Sequence, residues 1–71
     1  MKEQITRTLQ ALFESMREKH LTNAKILMEN GVGVAEHPDI LATIEEELSR
    51  AAEYDDKLEM LVRLKDTVPR I

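Results

Sequence analysis

Asn30-Gly31-Val32-Gly33-Val34-Ala35-Glu36-His37-Pro38-Asp39 lies near the middle of the 71-residue chain and holds both of its glycines and one of its two prolines. Asn30 and Gly31 tolerate the left-handed backbone that closes a helix C-terminus, so a helix is expected to stop there. Gly33 allows a second unusual backbone angle, and Val32, Val34 and Ala35 form an apolar connector suited to packing over the end of a helix pair. Pro38 fits the first position of a new helix, where its missing N–H is no loss, and the Asp39 carboxylate meets the positive end of the helix dipole. His37 falls at the cap position. The stretch reads as a hinge between a helix over about 3–30 and a helix over about 38–67, joined by a loop over about 31–37, a length normal for an antiparallel pair.

Outward from the hinge, both flanking segments carry helical periodicity. In the first, Ile5, Leu9, Leu12, Phe13, Met16, His20, Ala24, Leu27 and Met28 recur at steps of mostly three and four and share one face. His20 and Asn23 interrupt this stripe with polar groups, so packing there is either polar and specific or loose. In the second segment the stripe reads Leu41, Ile44, Leu48, Ala51, Asp55, Leu58 and Val62, nearly a heptad seam, with Ile40, Ala52 and Leu61 beside it. Glu46–Arg50 and Glu59–Arg63 stand at the favourable i, i+4 spacing, and Pro69 stops the helix.

Helix rise and loop length set Leu27 opposite Leu41, His20 opposite Leu48, Phe13 opposite Asp55 and Leu9 opposite Leu58. The expected fold is therefore all-α, an antiparallel two-helix hairpin in a single domain spanning residues 1–71. Two helices cannot surround a core, and Leu12, Leu21, Met28, Ile40, Met60, Leu61 and Leu64 would be left as an exposed patch. A homodimer of hairpins forming a four-helix bundle resolves this. Its self-association seam is expected at Leu9, Phe13, Met16, Leu27, Leu41, Ile44, Leu48, Asp55, Leu58 and Val62.

Composition restricts function. A chain this short buries only about 60% of the surface its unfolded form exposes. With no cysteine it has neither disulfides nor a thiolate metal cluster to add stability. Aromatic residues are 3%, Phe13 and Tyr54, too few for base stacking, and the net charge of −4 supplies no overall positive field for nucleic acid or anionic lipid. No window approaches the about 20 apolar residues of a membrane span, and Met1-Lys2-Glu3-Gln4-Ile5 lacks the apolar run of a signal peptide. The chain reads as cytoplasmic, with neither membrane nor nucleic acid as a partner and with no cofactor.

The strings Gly31-Val32-Gly33-Val34-Ala35-Glu36-His37-Pro38-Asp39-Ile40, Ile44-Glu45-Glu46-Glu47-Leu48 and Ala52-Glu53-Tyr54-Asp55-Asp56-Lys57-Leu58-Glu59 resemble a group of short proteins of marine tailed bacteriophages, cyanophages in particular. The resemblance covers roughly the second half of the chain. It implies a viral source, residence in the host cytoplasm, a host-takeover or virion-accessory role, and a host or phage protein as partner. It brings no catalytic residues.

Each polar constellation has a structural reading beside a functional one. Glu36, His37 and Asp39, with His20 elsewhere, could offer oxygen and imidazole ligands to a metal, but a helix cap accounts for His37 more simply. Gly31-x-Gly33 before a helix N-terminus could cradle a phosphate or nucleotide at a subunit interface. It lacks the Gly-Lys-Ser/Thr ending of a P-loop and follows no strand, so a hinge is the preferred reading. Asp55 on the seam requires Arg17, Lys57 or an arginine of another subunit, or an opening to water beside Ala51 and Ala52. The glutamate-rich surface could mimic a nucleic-acid backbone, although such a run is more often simply solvated. Ser15 and Ser49 have no histidine beside them, and no nucleophile or acid–base pair is assembled. The chain is therefore expected to be a non-enzymatic interaction module.

Overall fold

The computed structural model describes residues 1–30 and 39–67 and contains two helices packed side by side, α1 (Lys2–Glu29) and α2 (Asp39–Thr67). Neither contains glycine or proline, and at ~1.5 Å rise per residue each is about 42 Å long. The weaker helix formers are accommodated locally. The hydroxyls of Thr6, Thr8 and Thr43 donate to the carbonyls of Lys2, Gln4 and Asp39, each four residues back, at 2.8–2.9 Å. Both expected i, i+4 ion pairs form, Arg50 to Glu46 at 2.7 Å and Arg63 to Glu59 at 3.0 Å.

α1 ends at the Asn30 cap, as the sequence reading expects. Asn30 has φ −100° and ψ 13°, which is not left-handed. Its backbone N–H and its side-chain Nδ2 instead both donate to the Ile26 carbonyl, at 3.1 and 3.0 Å. The asparagine thus caps this carbonyl with its own amide as well as its backbone. Gly31, Gly33, Glu36, His37 and Pro38, together with the expected stop at Pro69, lie outside the described residues. Asp39 is exposed and opens α2.

Between the helices runs one seam. From α1 it takes Thr6, Leu9, Phe13, Met16, His20, Asn23 and Leu27, and from α2 Ile40, Ile44, Glu47, Ala51, Tyr54, Leu58 and Leu61, all buried or partly buried. Steps alternate between three and four residues on both helices, the spacing of knobs-into-holes packing. The vertical register is close to the one expected from helix rise, since Phe13 meets Tyr54 and His20 meets Glu47.

The rotation of α2 is not the one expected. Ile44, Ala51 and Leu58 do face α1. Leu41, Leu48 and Val62, placed on the stripe by their hydrophobicity, are 61%, 48% and 52% exposed, and Asp55 is exposed as well. The positions one residue earlier, Ile40, Glu47, Tyr54 and Leu61, take their places. Polar matching across the seam accounts for this turn, because His20 and Asn23 need a polar group opposite them and Glu47 supplies it.

The seam encloses little. Only Ala24, Ala51, Leu61 and His20 are buried among the described residues, and the Cα trace is 11 Å deep in its thinnest direction. A compact monomer of 8.2 kDa has about 4,500 Å² of accessible surface by the size scaling of folded proteins. This chain has 5753 Å², an excess of roughly 1,200 Å² over that scaling.

The assigned rotation predicts contrasting effects for two chemically identical truncations. Leu61→Ala removes a buried side chain and should cost about 2 kcal/mol or more, whereas Leu64→Ala, at a position 57% exposed, should stay within about 0.5 kcal/mol. Urea denaturation followed by circular dichroism measures both, and equal losses would place the seam elsewhere.

Candidate functional site

Halfway along the hairpin, polar groups replace the apolar seam. The Glu47 carboxylate lies between His20 and Asn23, with Oε2 2.7 Å from His20 Nδ1 and 3.2 Å from Asn23 Nδ2. An ionised carboxylate has no proton to give, so Nδ1–H of the imidazole donates. His20 and Asn23 are three residues apart and therefore project from the same face of α1, while Glu47 reaches them from α2. His20 is only 6% exposed, and no buried side-chain polar atom among the described residues lacks a partner.

Tyr54 completes this layer one heptad along α2. Its ring stacks on His20 at 6.0 Å with 12° between planes, and it tilts against Phe13 at 6.1 Å. The Lys57 ammonium sits 4.5 Å from the Tyr54 ring centroid, within cation–π range. Asp55, one residue on from Tyr54, points away from the seam to the flank and accepts a hydrogen bond from Arg17 at 3.0 Å. Of the alternatives open for Asp55, the structure thus selects Arg17 and an exposed setting. Arg17 also lies 3.5 Å from Glu18.

Two surfaces flank the seam, and their compositions differ along their length. On the flank crossed by the Arg17–Asp55 pair, a groove is lined by Leu21, Leu48, Ala51 and Ala52, with Glu18 at its edge beside Arg17. Exposed Leu41 and Met28 continue this side toward the loop end of the hairpin. Beyond Arg17 and Asp55, toward the chain termini, the same flank carries Gln10, Glu14 and Lys65 around Leu58 and exposed Val62. On the opposite flank the apolar groups gather near the termini instead, where Leu9, Phe13, Met60, Leu61 and Leu64 line a groove beside Lys57. Ile5 and Leu12 are exposed on that side.

The expected association residues are therefore divided. Leu9, Phe13, Met16, Leu27, Ile44 and Leu58 are committed to the seam within the hairpin, whereas Leu41, Leu48, Asp55 and Val62 face outward. Of the possible ligand loop, only Asp39 is described, and it stands exposed. Among the described residues no group of three or more His, Cys, Asp or Glu side chains is placed to hold a metal ion, and the buried His20 is engaged by Glu47. No described helix is long and apolar enough to cross a membrane.

Thr6, Glu47 and Tyr54 are seam residues that hydrophobicity did not reveal. A usable signal existed in the polar interruption of the first stripe. At the expected register His20 and Asn23 would have faced Leu48 without a hydrogen-bond partner, and Glu47 is the adjacent residue that removes this conflict.

No protein-family model, curated protein or solved structure matches the chain.

The polar layer makes stability depend on acidity in one direction. The hydrogen bond from His20, reinforced by that from Asn23, holds the Glu47 carboxyl below its ordinary pKa against the opposing effect of desolvation. A carboxylate with a depressed folded-state pKa contributes stability above its unfolded-state value, and the contribution disappears as pH falls through the folded-state value. The difference in thermal midpoint between the wild type and Glu47→Gln should therefore be largest above about pH 4.5 and shrink below it. Melting curves from about pH 5.5 to about pH 2.5 test this; a difference constant across that range would mean that Glu47 carries no such linkage.

Proposed function

We propose that this protein works by association and not by catalysis: it is a helical interaction module that pairs with itself, as a homodimer closing a four-helix bundle. The outer surface of that bundle then meets a host or phage protein, the partner implied by the phage resemblance. The observation that carries the first step is the mismatch between surface and core. Eleven large hydrophobic side chains are exposed among the described residues, while the buried apolar set is Ala24, Ala51 and Leu61. The excess surface of roughly 1,200 Å² is more than the about 800 Å² that each partner buries in a standard interface.

Physical economy supports the same reading. A single helix–helix seam rarely supplies enough buried area to offset the conformational entropy of ordering about 70 residues. A second hairpin laid against the first doubles the number of packed helix faces and requires no new secondary structure. The polar layer at His20, Asn23 and Glu47 suits such an assembly, since one satisfied polar layer disfavours slipped pairings that would leave its members unpaired.

Light scattering across a concentration series, with circular dichroism on the same samples, tests the proposal. A stable mass of twice the chain, or helicity that rises with concentration, is the expected outcome. A fully helical monomer at micromolar concentration would refute self-association.

A further inference from the structure

The Arg17–Asp55 flank carries both halves of a complementary charge pair at one level of the hairpin, directly beside its apolar groove. From this we infer that the second copy docks on that flank with both loops at the same end of the bundle, so that Arg17 of each chain faces Asp55 of the other. The inference rests on the self-association proposed above and specifies its surface and orientation.

Symmetry connects the residues to the orientation. Arg17 extends from α1 and Asp55 from α2, and their 3.0 Å hydrogen bond places them at the same height. A two-fold axis parallel to the helices packs α1 of one copy against α2 of the other without changing height. Arg17 then meets Asp55 of the second copy on both sides, and the four groups alternate in sign around a ring. Turning the second copy end over end about the same level instead brings Arg17 onto Arg17 and Asp55 onto Asp55, an arrangement that like charges oppose.

The apolar groups favour the same choice. Leu21, Leu48 and Met28 occupy the loop half of this flank and are 39%, 48% and 69% exposed. The half nearer the termini mixes Gln10, Glu14 and Lys65 with Val62, the one exposed large hydrophobic described there. With loops together, apolar half meets apolar half, and small Ala51 and Ala52 in the groove floor and wall permit close helix approach. With loops apart, Leu48 would meet Val62 of the second copy, while Leu21 and Met28 would meet the side around Gln10 and Glu14. The opposite flank offers no such pairing, because the charged group in its groove is Lys57, which a two-fold axis would duplicate.

Charge exchange tests the contact without relying on one variant. Arg17→Asp and Asp55→Arg, each alone, turn the ring to a single sign and should weaken the dimer by roughly tenfold. An equimolar mixture of the two variants should form a heterodimer, although both chains have lost the pair within the hairpin. The chain contains no cysteine, so Leu21→Cys and Leu48→Cys chains can be oxidised separately and together. A disulfide that forms in the mixture and not in Leu21→Cys alone is expected. Wild-type protein that stays monomeric would overturn the self-association on which this rests. A wild-type dimer whose charge variants remain equally tight, or whose mixture shows no recovery, or which cross-links through Leu21→Cys alone, would leave self-association standing and overturn this docking mode.

Discussion

The hydrogen bond between His20 Nδ1 and Glu47 Oε2 is the contact on which the remaining geometry depends. It joins the two helices at mid-length, and its short reach ties both their relative height and the rotation of α2 about its own axis. Asn23 shares the same carboxylate oxygen, so the acceptor has donors from two successive seam positions of α1. If α2 turned by a single residue, Leu48 would replace Glu47 opposite two polar groups, and both would lose their partner in a poorly solvated place. That is a larger loss than the gain from burying one more leucine.

The rest of the seam follows from that rotation. With Glu47 facing inward, heptad spacing carries Ile40, Tyr54 and Leu61 inward too, and Tyr54 lands where it can stack on His20 and touch Phe13. The same rotation turns Leu41, Leu48, Asp55 and Val62 outward. The hairpin thus achieves a specific pairing of its two helices at the expense of apolar burial, and the displaced hydrophobic side chains become surface. The internal polar contact defines the hairpin, and what it turns outward is the surface on which the proposed association would rely.

The two flanks do not carry equal information. Their exposed leucines gather toward opposite ends of the rod. Only one combines them with an oppositely charged pair held level by a hydrogen bond. An interface between identical chains must satisfy each group with a symmetry-related one, so a surface bearing both signs at one height is suited to it in a way that a groove lined by Lys57 alone among charged groups is not.

The amino-acid sequence by itself determined the two helices, their approximate ends, their antiparallel fold-back and the height at which they meet. Each of these follows from local chemistry: Gly31, Gly33 and Pro38 punctuate the chain, apolar steps of three and four set the helical period, and chain length sets the register. Ile44, Ala51 and Leu58 were legible as seam residues for the same reason. The rotation of α2 was not legible from hydrophobicity, because the sets 40, 47, 54, 61 and 41, 48, 55, 62 have the same spacing and the second is the more apolar at Leu48. Only the tertiary structure decided between them, since the deciding energy belongs to a pair of residues on different helices. His20 must be satisfied by what stands opposite, and no one-dimensional period can express that requirement.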